Sequence, residues 1–332
     1  MTSSRRLATA CLALTLAAGA FVIASFPIPD WDYRCYVNAA VLIDQGKSPY
    51  SPELGTQYLY PPPAAHLFGA LRKVLPGDGA VFRLYQGVQL ALLGAGFLLA
   101  AALARRLGIS ERLSYPLAAA LLVANYPILY TLRHHNTNLV LLDAALAAML
   151  FPRAAVSGLV LAGATLLKLY PAFLLVPLWA FGYRRIALWW GVGMLLPLLS
   201  SGVRADWPAF IELLPNMPKG EAVLDNSVTS LIARGARSMP LQLSTHAIAV
   251  LAALAGLAAL ALTARRLFQA RAAAGRSHAF VRSCAEWSAV VLLLSPIAWP
   301  EHFALTVPLI VVLLSAQPKR LLVLAGIALV LW

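Results

Sequence analysis

YPPPAAHLFGALRKVL, residues 60–75, is apolar enough to be taken for a membrane span, and its reading decides the topology. Pro61, Pro62 and Pro63 can only open a helix, because proline has no N–H to donate and its ring clashes with a preceding turn. The apolar stretch after the prolines is shorter than the roughly 20 residues a span needs, and Arg72 and Lys73 sit near its end. Counting it as a span would also place Arg105 and Arg106 outside. It is therefore read as an amphipathic juxtamembrane helix on the outer surface, within a long outer loop at about 27–79.

The chain has 332 residues, of which 61% are hydrophobic and only 12% charged, with a formal net charge of +13. A soluble domain carries about a quarter charged residues. Long apolar runs with few charges mark a polytopic membrane protein, and because these runs are continuous rather than alternating, helices are expected instead of a barrel. The expected fold is all-α: one integral-membrane domain over 1–332 with about 11 transmembrane helices. They lie near 7–26, 80–104, 113–131, 137–151, 154–167, 169–182, 186–201, 244–264, 283–299, 303–316 and 320–332, the last run stopping at Trp332 without a polar tail. A second large outer loop is expected at about 202–243. Arg5 and Arg6 ahead of residues 7–26 resemble a signal peptide, but the apolar run is of span length and is read as an uncleaved first helix.

With the N-terminus inside, the cytoplasmic side collects Arg5, Arg6, Arg105, Arg106, Arg112, Arg153, Arg184, Arg185 and the basic 265–282 segment, accompanied only by Glu111 and Glu286. The outer side is nearly balanced in charge, as the positive-inside rule requires. Arginines grouped between spans are topology signals rather than a phosphate-binding stripe, so no nucleic acid partner is expected. Cys11, Cys35 and Cys284 have no metal-ligand spacing and do not form a disulfide framework. No Walker A or Gly-rich dinucleotide pattern occurs, so chemistry is expected to face outward.

On that outer face several polar groups converge at helix ends: Asp30 and Asp32, then RHHNTN (133–138), LKLYP (167–171), LDNSVTSLIARG (224–235) and SPIAWPEHF (295–303). Each has an ordinary explanation. Asp32 can cap a helix, Lys168 can snorkel to the interface, Asn226 can serve a turn, and His134, His135 and the Glu301–His302 pair can be plain interfacial residues. Their arrival at one depth makes them functional candidates. A transporter or lipid flippase is the main non-enzyme alternative, and an assembly partner comes after it. Against a transporter stand the absence of an internal repeat, Asp143 as the single acid well inside a span, and the large outer loops.

Within the first outer loop, Asp32 four residues before Tyr36, the Gly-x-x-Pro-Tyr turn at 46–50 and the Tyr-Pro-Pro at 60–62 resemble the C-superfamily glycosyltransferases, and among them glycosyltransferase family 87. HHNTNLVLL, LLKLYPAFLLVPLW, NSVTSLIAR and LLSPIAWPEHF occur in the order that family shows. The resemblance implies a bacterial inner-membrane enzyme with a periplasmic active site. It would move a hexose, in the family's typical members mannose, from a polyprenyl-phosphate donor to a lipid or glycan acceptor, with glucosyl or arabinosyl transfer as the nearest variants. Asp32 matches the family's catalytic Asp, expected to act as general base, with Asp30 the neighbouring candidate. His302 falls where an active-site His is expected, although Glu301-His302 stands where members often have His-His. Donor or substrate contacts are expected from Asp30, Arg34, Tyr36, Tyr60, His134, His135, Asn136, Lys168, Tyr170, Asn226 and Glu301.

The chemistry fits those residue types. The sugar already sits on a phosphate, a fair leaving group, so transfer needs a base for the acceptor hydroxyl and cations for the departing phosphate. Lys168, Arg34 or a protonated His302 would supply the cation, and a single displacement would invert a β-linked donor to an α-linked product. No metal and no cofactor are expected.

Overall fold

The computed structural model describes residues 3–54, 58–214, 227–238, 243–272, 276–295 and 298–316. Asn226 and the apolar run expected at 320–332 lie outside the described residues. Among those described, the chain is helical throughout and contains no strand.

Fifteen α-helices are described: α1 Ser3–Ser25, α2 Trp31–Asp44, α3 Pro62–Val74, α4 Asp78–Arg106, α5 Glu111–Val123, α6 Tyr126–Arg133, α7 Asn138–Leu150, α8 Ala155–Leu167, α9 Leu175–Ala180, α10 Arg184–Leu195, α11 Ser201–Leu213, α12 Val228–Ser238, α13 Thr245–Ala272, α14 Arg276–Leu294 and α15 Val307–Ala316. Among the described residues, α1, α4 and α13 are individually long and apolar enough to cross a membrane. Counting bent pairs adds two more: α5 with α6, bent by 53°, and the stretch from Arg184 to Leu199 with α11, bent by 106°. Four further apolar stretches, Asn138–Leu150, Ala155–Leu167, Tyr170–Ala180 and Pro300–Ala316, are shorter than a full span. Among the described residues, three to five spans are thus supported by length and composition, and the other expected stretches that are described are helical but short or broken.

Two boundaries differ from expectation. Helix α14 begins at Arg276 rather than near residue 283, because its polar first turns continue the helix and Arg282 bonds Glu286 one turn on at 2.8 Å. The stretch expected at 186–201 ends at Leu199 as expected, but Ser200, whose hydroxyl accepts from the N–H of Val203, starts α11 where loop was expected from 202.

Helix α3 forms where the amphipathic helix was expected, with Pro61 as its N-cap and Pro62 at its first position. Its Ala64, Ala65, Phe68 and Gly69 face is buried against α2, while Leu67 and Val74 remain exposed. Between α2, α3 and the start of α4 lies a small aromatic core of Tyr33, Tyr36, Tyr58, Phe68 and Phe82. A larger apolar core joins α1, α4, α5, α7, α8, α14 and α15. Helices α8 and α10 approach closely through glycine: a Cβ on Gly158 would stand 2.6 Å from the carbonyl oxygen of Ile186. Small residues permit such contact between apolar helices, for which lipid supplies no hydrophobic drive.

Candidate active site

Asp30 is the N-cap of α2, its carboxylate accepting from the N–H of Trp31. That leaves Asp32 in the first turn, where a carboxylate is favoured by the helix dipole. Its Oδ1 accepts from the hydroxyl of Tyr60 at 3.2 Å and its Oδ2 from Nδ2 of Asn136 at 2.7 Å.

Asn136 is held there by the way α6 ends. His135 sits in the left-handed region (φ 53°). Its N–H bonds Leu132 O at 3.3 Å, and that of Asn136 bonds Thr131 O at 2.9 Å. This is the paired Schellman closure that usually takes glycine. A non-glycine residue in that conformation costs on the order of 1–3 kcal/mol. It is offset here by packing: the imidazole is buried against Phe82, 4.7 Å between ring centres. From α4, Gln89 donates to the carbonyl of Asn136 at 3.1 Å.

Lys168 caps the C-terminus of α8 in extended conformation and is 5% exposed. Its Nζ donates to Oδ1 of Asn136 at 2.8 Å and Oδ1 of Asn138 at 3.1 Å, and lies 3.3 Å from Nε2 of His302. An ammonium has three donors, and two carboxamide oxygens and an imidazole nitrogen surround this one. The Tyr60 ring stands 5.3 Å away, adding a cation–π contact. Burial pushes the Lys168 pKa down, while Asp32 and Glu301 oppose that shift. Pro300 opens the 3₁₀ turn Pro300–Thr306, which carries Glu301 and His302, both buried. Oε1 of Glu301 accepts from the same Nδ2 of Asn136 at 3.4 Å, and Oε2 has no hydrogen-bond partner among the described residues. Burial raises the Glu301 pKa to about 7, with Lys168 pulling it down and Asp32 pushing it up.

Asn136 is therefore the hub. Its oxygen takes the lysine, which fixes its amide nitrogen toward the two carboxylates of Asp32 and Glu301. Tyr60 stacks on Tyr36 (4.8 Å, 19°), and the Tyr36 hydroxyl reaches Thr137 Oγ1 at 3.2 Å. Tyr170 presents its ring edge to His302 at 5.2 Å and bonds Ser295 at 2.9 Å. Tyr60, Lys168, Tyr170 and His302 line one part of a cavity of ≈ 290 Å³ whose other walls include Leu59, Phe173, Phe210, Leu214, Val291 and Leu294. A buried cation thus meets an apolar pocket.

The profile of Glycosyltransferase family 87 matches residues 58–296. The chain belongs to glycosyltransferase family 87. This glycosyltransferase is also 28% identical, over 96% of its length and 74% of the relative's, to the polyprenol-phosphate-mannose-dependent alpha-(1-2)-phosphatidylinositol pentamannoside mannosyltransferase of Mycobacterium tuberculosis (strain CDC 1551 / Oshkosh). No solved structure matches it.

Of the residues singled out from sequence, Asp32, Tyr36, Tyr60, Asn136, Lys168, Tyr170, Glu301 and His302 are brought together. The remaining described ones are not. Asp30 pairs with Nδ1 of His134 at 2.6 Å on the far side of α2's first turn. His135 faces Phe82 and Gln86, and burial lowers its pKa to about 4, so it is neutral. Arg34 is exposed, bonds the carbonyl of Pro29 at 2.9 Å and lines a different hollow, so it does not join Lys168 as a phosphate cation. Sequence reasoning reached Asn138, which shares the lysine, only as the end of the stretch 133–138 and gave it no role, and it missed Gln89, a buried amide in the long helix α4. Gln89 carried the one available signal, since a polar group inside an apolar span needs a partner.

Proposed function

We propose that this glycosyltransferase transfers mannose from a polyprenyl-phosphate donor to a lipid or glycan acceptor. It works at the outer face of the bacterial inner membrane, with about 11 spans and the N-terminus inside. The donor sugar is proposed from the relative's name; the positive-inside charge pattern supports the orientation.

In this reading the polyprenyl chain lies along the apolar walls of the ≈ 290 Å³ cavity, and its phosphate meets Lys168 and His302. The acceptor hydroxyl approaches Asp32. As the new bond to the anomeric carbon forms, Asp32 takes the hydroxyl proton and the old bond's electron pair leaves with the polyprenyl phosphate. One displacement at that carbon inverts a β-linked donor to an α-linked product. Lys168 opposes the charge developing on the phosphate from a site where water is excluded, which strengthens it. Asn136 keeps base and cation in fixed relation, and Tyr60 shields the Asp32 carboxylate on its other oxygen. A phosphate leaving group needs no protonation, so no acid is assigned. No divalent cation is assigned either; manganese-dependent recovery of a chelated enzyme would contradict that.

The carrying observation is the hydrogen-bonded path Asp32–Asn136–Lys168–His302 at the edge of an apolar cavity. The test is to incubate membranes containing the protein with radiolabelled polyprenyl-phosphate-mannose, the glucose and arabinose analogues, and GDP-mannose with lipid carrier synthesis blocked. Label should pass to product from polyprenyl-phosphate-mannose. Transfer directly from the nucleotide sugar would overturn the mechanism, and preference for another lipid-linked sugar would overturn the choice of mannose.

A further inference from the structure

The Gly-x-x-Pro-Tyr turn at 46–50 belongs to the first outer loop, and the proposed mechanism gives it no role. Its sequence dictates its shape. Gly46, at φ 72°, takes the left-handed position that ends α2. Its N–H bonds Ile43 O at 2.9 Å, and that of Lys47 bonds Leu42 O at 2.9 Å. Pro49 then holds the second place of a tight turn closed from Ser51 N to Ser48 O at 3.1 Å, where its fixed φ is favoured. The turn brings Tyr50 back against the protein. Its ring centre lies 5.5 Å from that of Tyr58 and 5.9 Å from that of Phe210, both within aromatic contact. Its hydroxyl donates to the carbonyl of Tyr60 at 2.9 Å.

Both contacts lead to the candidate site. Tyr60 lies ahead of α3 on a segment that is neither helix nor strand, so its place depends on side-chain contacts. It touches three parts of the site: its hydroxyl bonds Asp32, its ring stands near Lys168, and it lines the donor cavity. The Tyr50 hydroxyl holds this segment at Tyr60 itself, and the Tyr58 hydroxyl holds it one residue on, at Pro61 O, 2.8 Å away. Phe210 lines the same cavity from α11. That helix follows the 106° bend and is tied to α3 by His66 and Asp206, 2.8 Å apart. Tyr50 therefore stands between one wall of the donor cavity and the residue that holds the candidate base.

We infer that Tyr50 is a positioning residue of the transfer reaction, tying the α11 wall of the donor cavity to Tyr60 and, through Tyr60, to Asp32. The inference rests on the proposed mechanism with Asp32 as base. A base displaced by a fraction of an ångström loses rate while the donor still binds, so the hydroxyl and the ring of Tyr50 leave separate kinetic marks. The test uses the full-length protein in membranes of a host strain lacking its own copy. Radiolabelled polyprenyl-phosphate-mannose is varied, and the host lipids serve as acceptor. Tyr50→Phe keeps the ring and loses one hydrogen bond, so kcat should fall about three- to tenfold, with donor KM within about twofold of wild type. Tyr60→Phe removes the hydroxyl through which Tyr50 acts on Asp32. Adding Tyr50→Phe to it should cost little more, as for residues that work as one unit. Tyr50→Leu also takes the ring from Phe210 and should add a rise in donor KM. The Tyr50→Phe protein should melt near wild type. Four results would each overturn the inference: unchanged kcat in Tyr50→Phe, losses that multiply in the double variant, equal donor KM in the leucine and phenylalanine variants, or a kcat loss matched by a lowered melting temperature. If Asp32→Asn turned over normally, or the wild-type protein transferred nothing from the lipid-linked donor, the proposed mechanism would fail first, and neither result depends on Tyr50.

Discussion

Asp32 and Asp30, two residues apart, have different work. Asp30 caps α2 and holds His134; Asp32 makes no backbone cap bond and instead joins Tyr60 and Asn136. Asp32→Asn keeps the shape but removes the proton acceptor, and general-base contributions run to about 10²–10⁴-fold. Turnover should fall by that order with little change in melting temperature, whereas Asp30→Asn, still a good N-cap, should be far milder; near-normal turnover in Asp32→Asn would shift the base to Asp30 or Glu301. Lys168→Ala and His302→Ala should each impair donor use, the lysine by about 10²–10³-fold, the usual loss for one preorganised donor at developing charge; steady-state kinetics with varied donor reads it. Glu301 adds a pH dependence. Burial raises its pKa from 4.5 to about 7, so between those values the folded protein holds a proton that the unfolded chain has lost. Stability should therefore fall as pH rises through that window and level off above it. Ionised Glu301 would also repel the donor phosphate, so donor KM should climb as pH passes about 7. Glu301→Gln removes the titrating carboxylate and should abolish both effects. A melting-temperature and KM profile from pH 5 to 8 that is identical in Glu301→Gln and wild type would exclude this role.

At the scale of elements, helix α3 was legible because three prolines and a basic end leave few alternatives, and α1 and α4 because uninterrupted apolar length permits little else. The breaks were harder to see. The end of α6 fell where it was expected, between the stretches 113–131 and 137–151, but the 53° break at which Asn125 caps α6 lay inside the first of them. The span expected at 186–201 ended close to the 106° turn at Ser200, but the helix that follows it, α11, fell within what was expected as outer loop at 202–243. The site was legible as a set of stretches, yet the separation of Arg34 from Lys168 depends on which way α2 faces. Its packing on α3 decides that, and charge type does not. The α8–α10 contact has consequences for the site because α8 ends at Lys168. Gly158→Val would force a side chain against the Ile186 carbonyl, where even a Cβ would stand at 2.6 Å. Overpacking costs about 1–3 kcal/mol, so the variant should melt lower and lose turnover through a displaced lysine. Gly163, with open space around its Cβ position, supplies the control: Gly163→Ala should leave both near wild type.

For the molecule as a whole, the two ends of the helices differ in chemistry. At one end, Asp32, Asn136, Lys168 and Glu301 join α2, the turn after α6, the end of α8 and the turn before α15. At the other, Arg106 closes α4 by donating to the carbonyls of Met149 and Leu150 at the end of α7 and to Ser277 at the start of α14. Those carbonyls are a helix's unsatisfied last acceptors, so an arginine there is structurally anchored as well as a topology signal. A chain that inserted the other way would carry the Arg105, Arg106, Arg184 and Arg185 groups across the membrane, against the positive-inside bias. The orientation is open to direct measurement, because the native cysteines are poor targets: Cys35 and Cys284 are buried and Cys11 is partly so. Cysteine placed at Ser48, exposed in the first outer loop, should react with a membrane-impermeant maleimide on intact cells. Cysteine at Ser277, exposed at the Arg106 end, should react only after the cells are opened. The reverse pattern would put Asp32 and Lys168 on the cytoplasmic side, where the donor would have to be presented from the inner leaflet, and the outward-facing mechanism would fall with it.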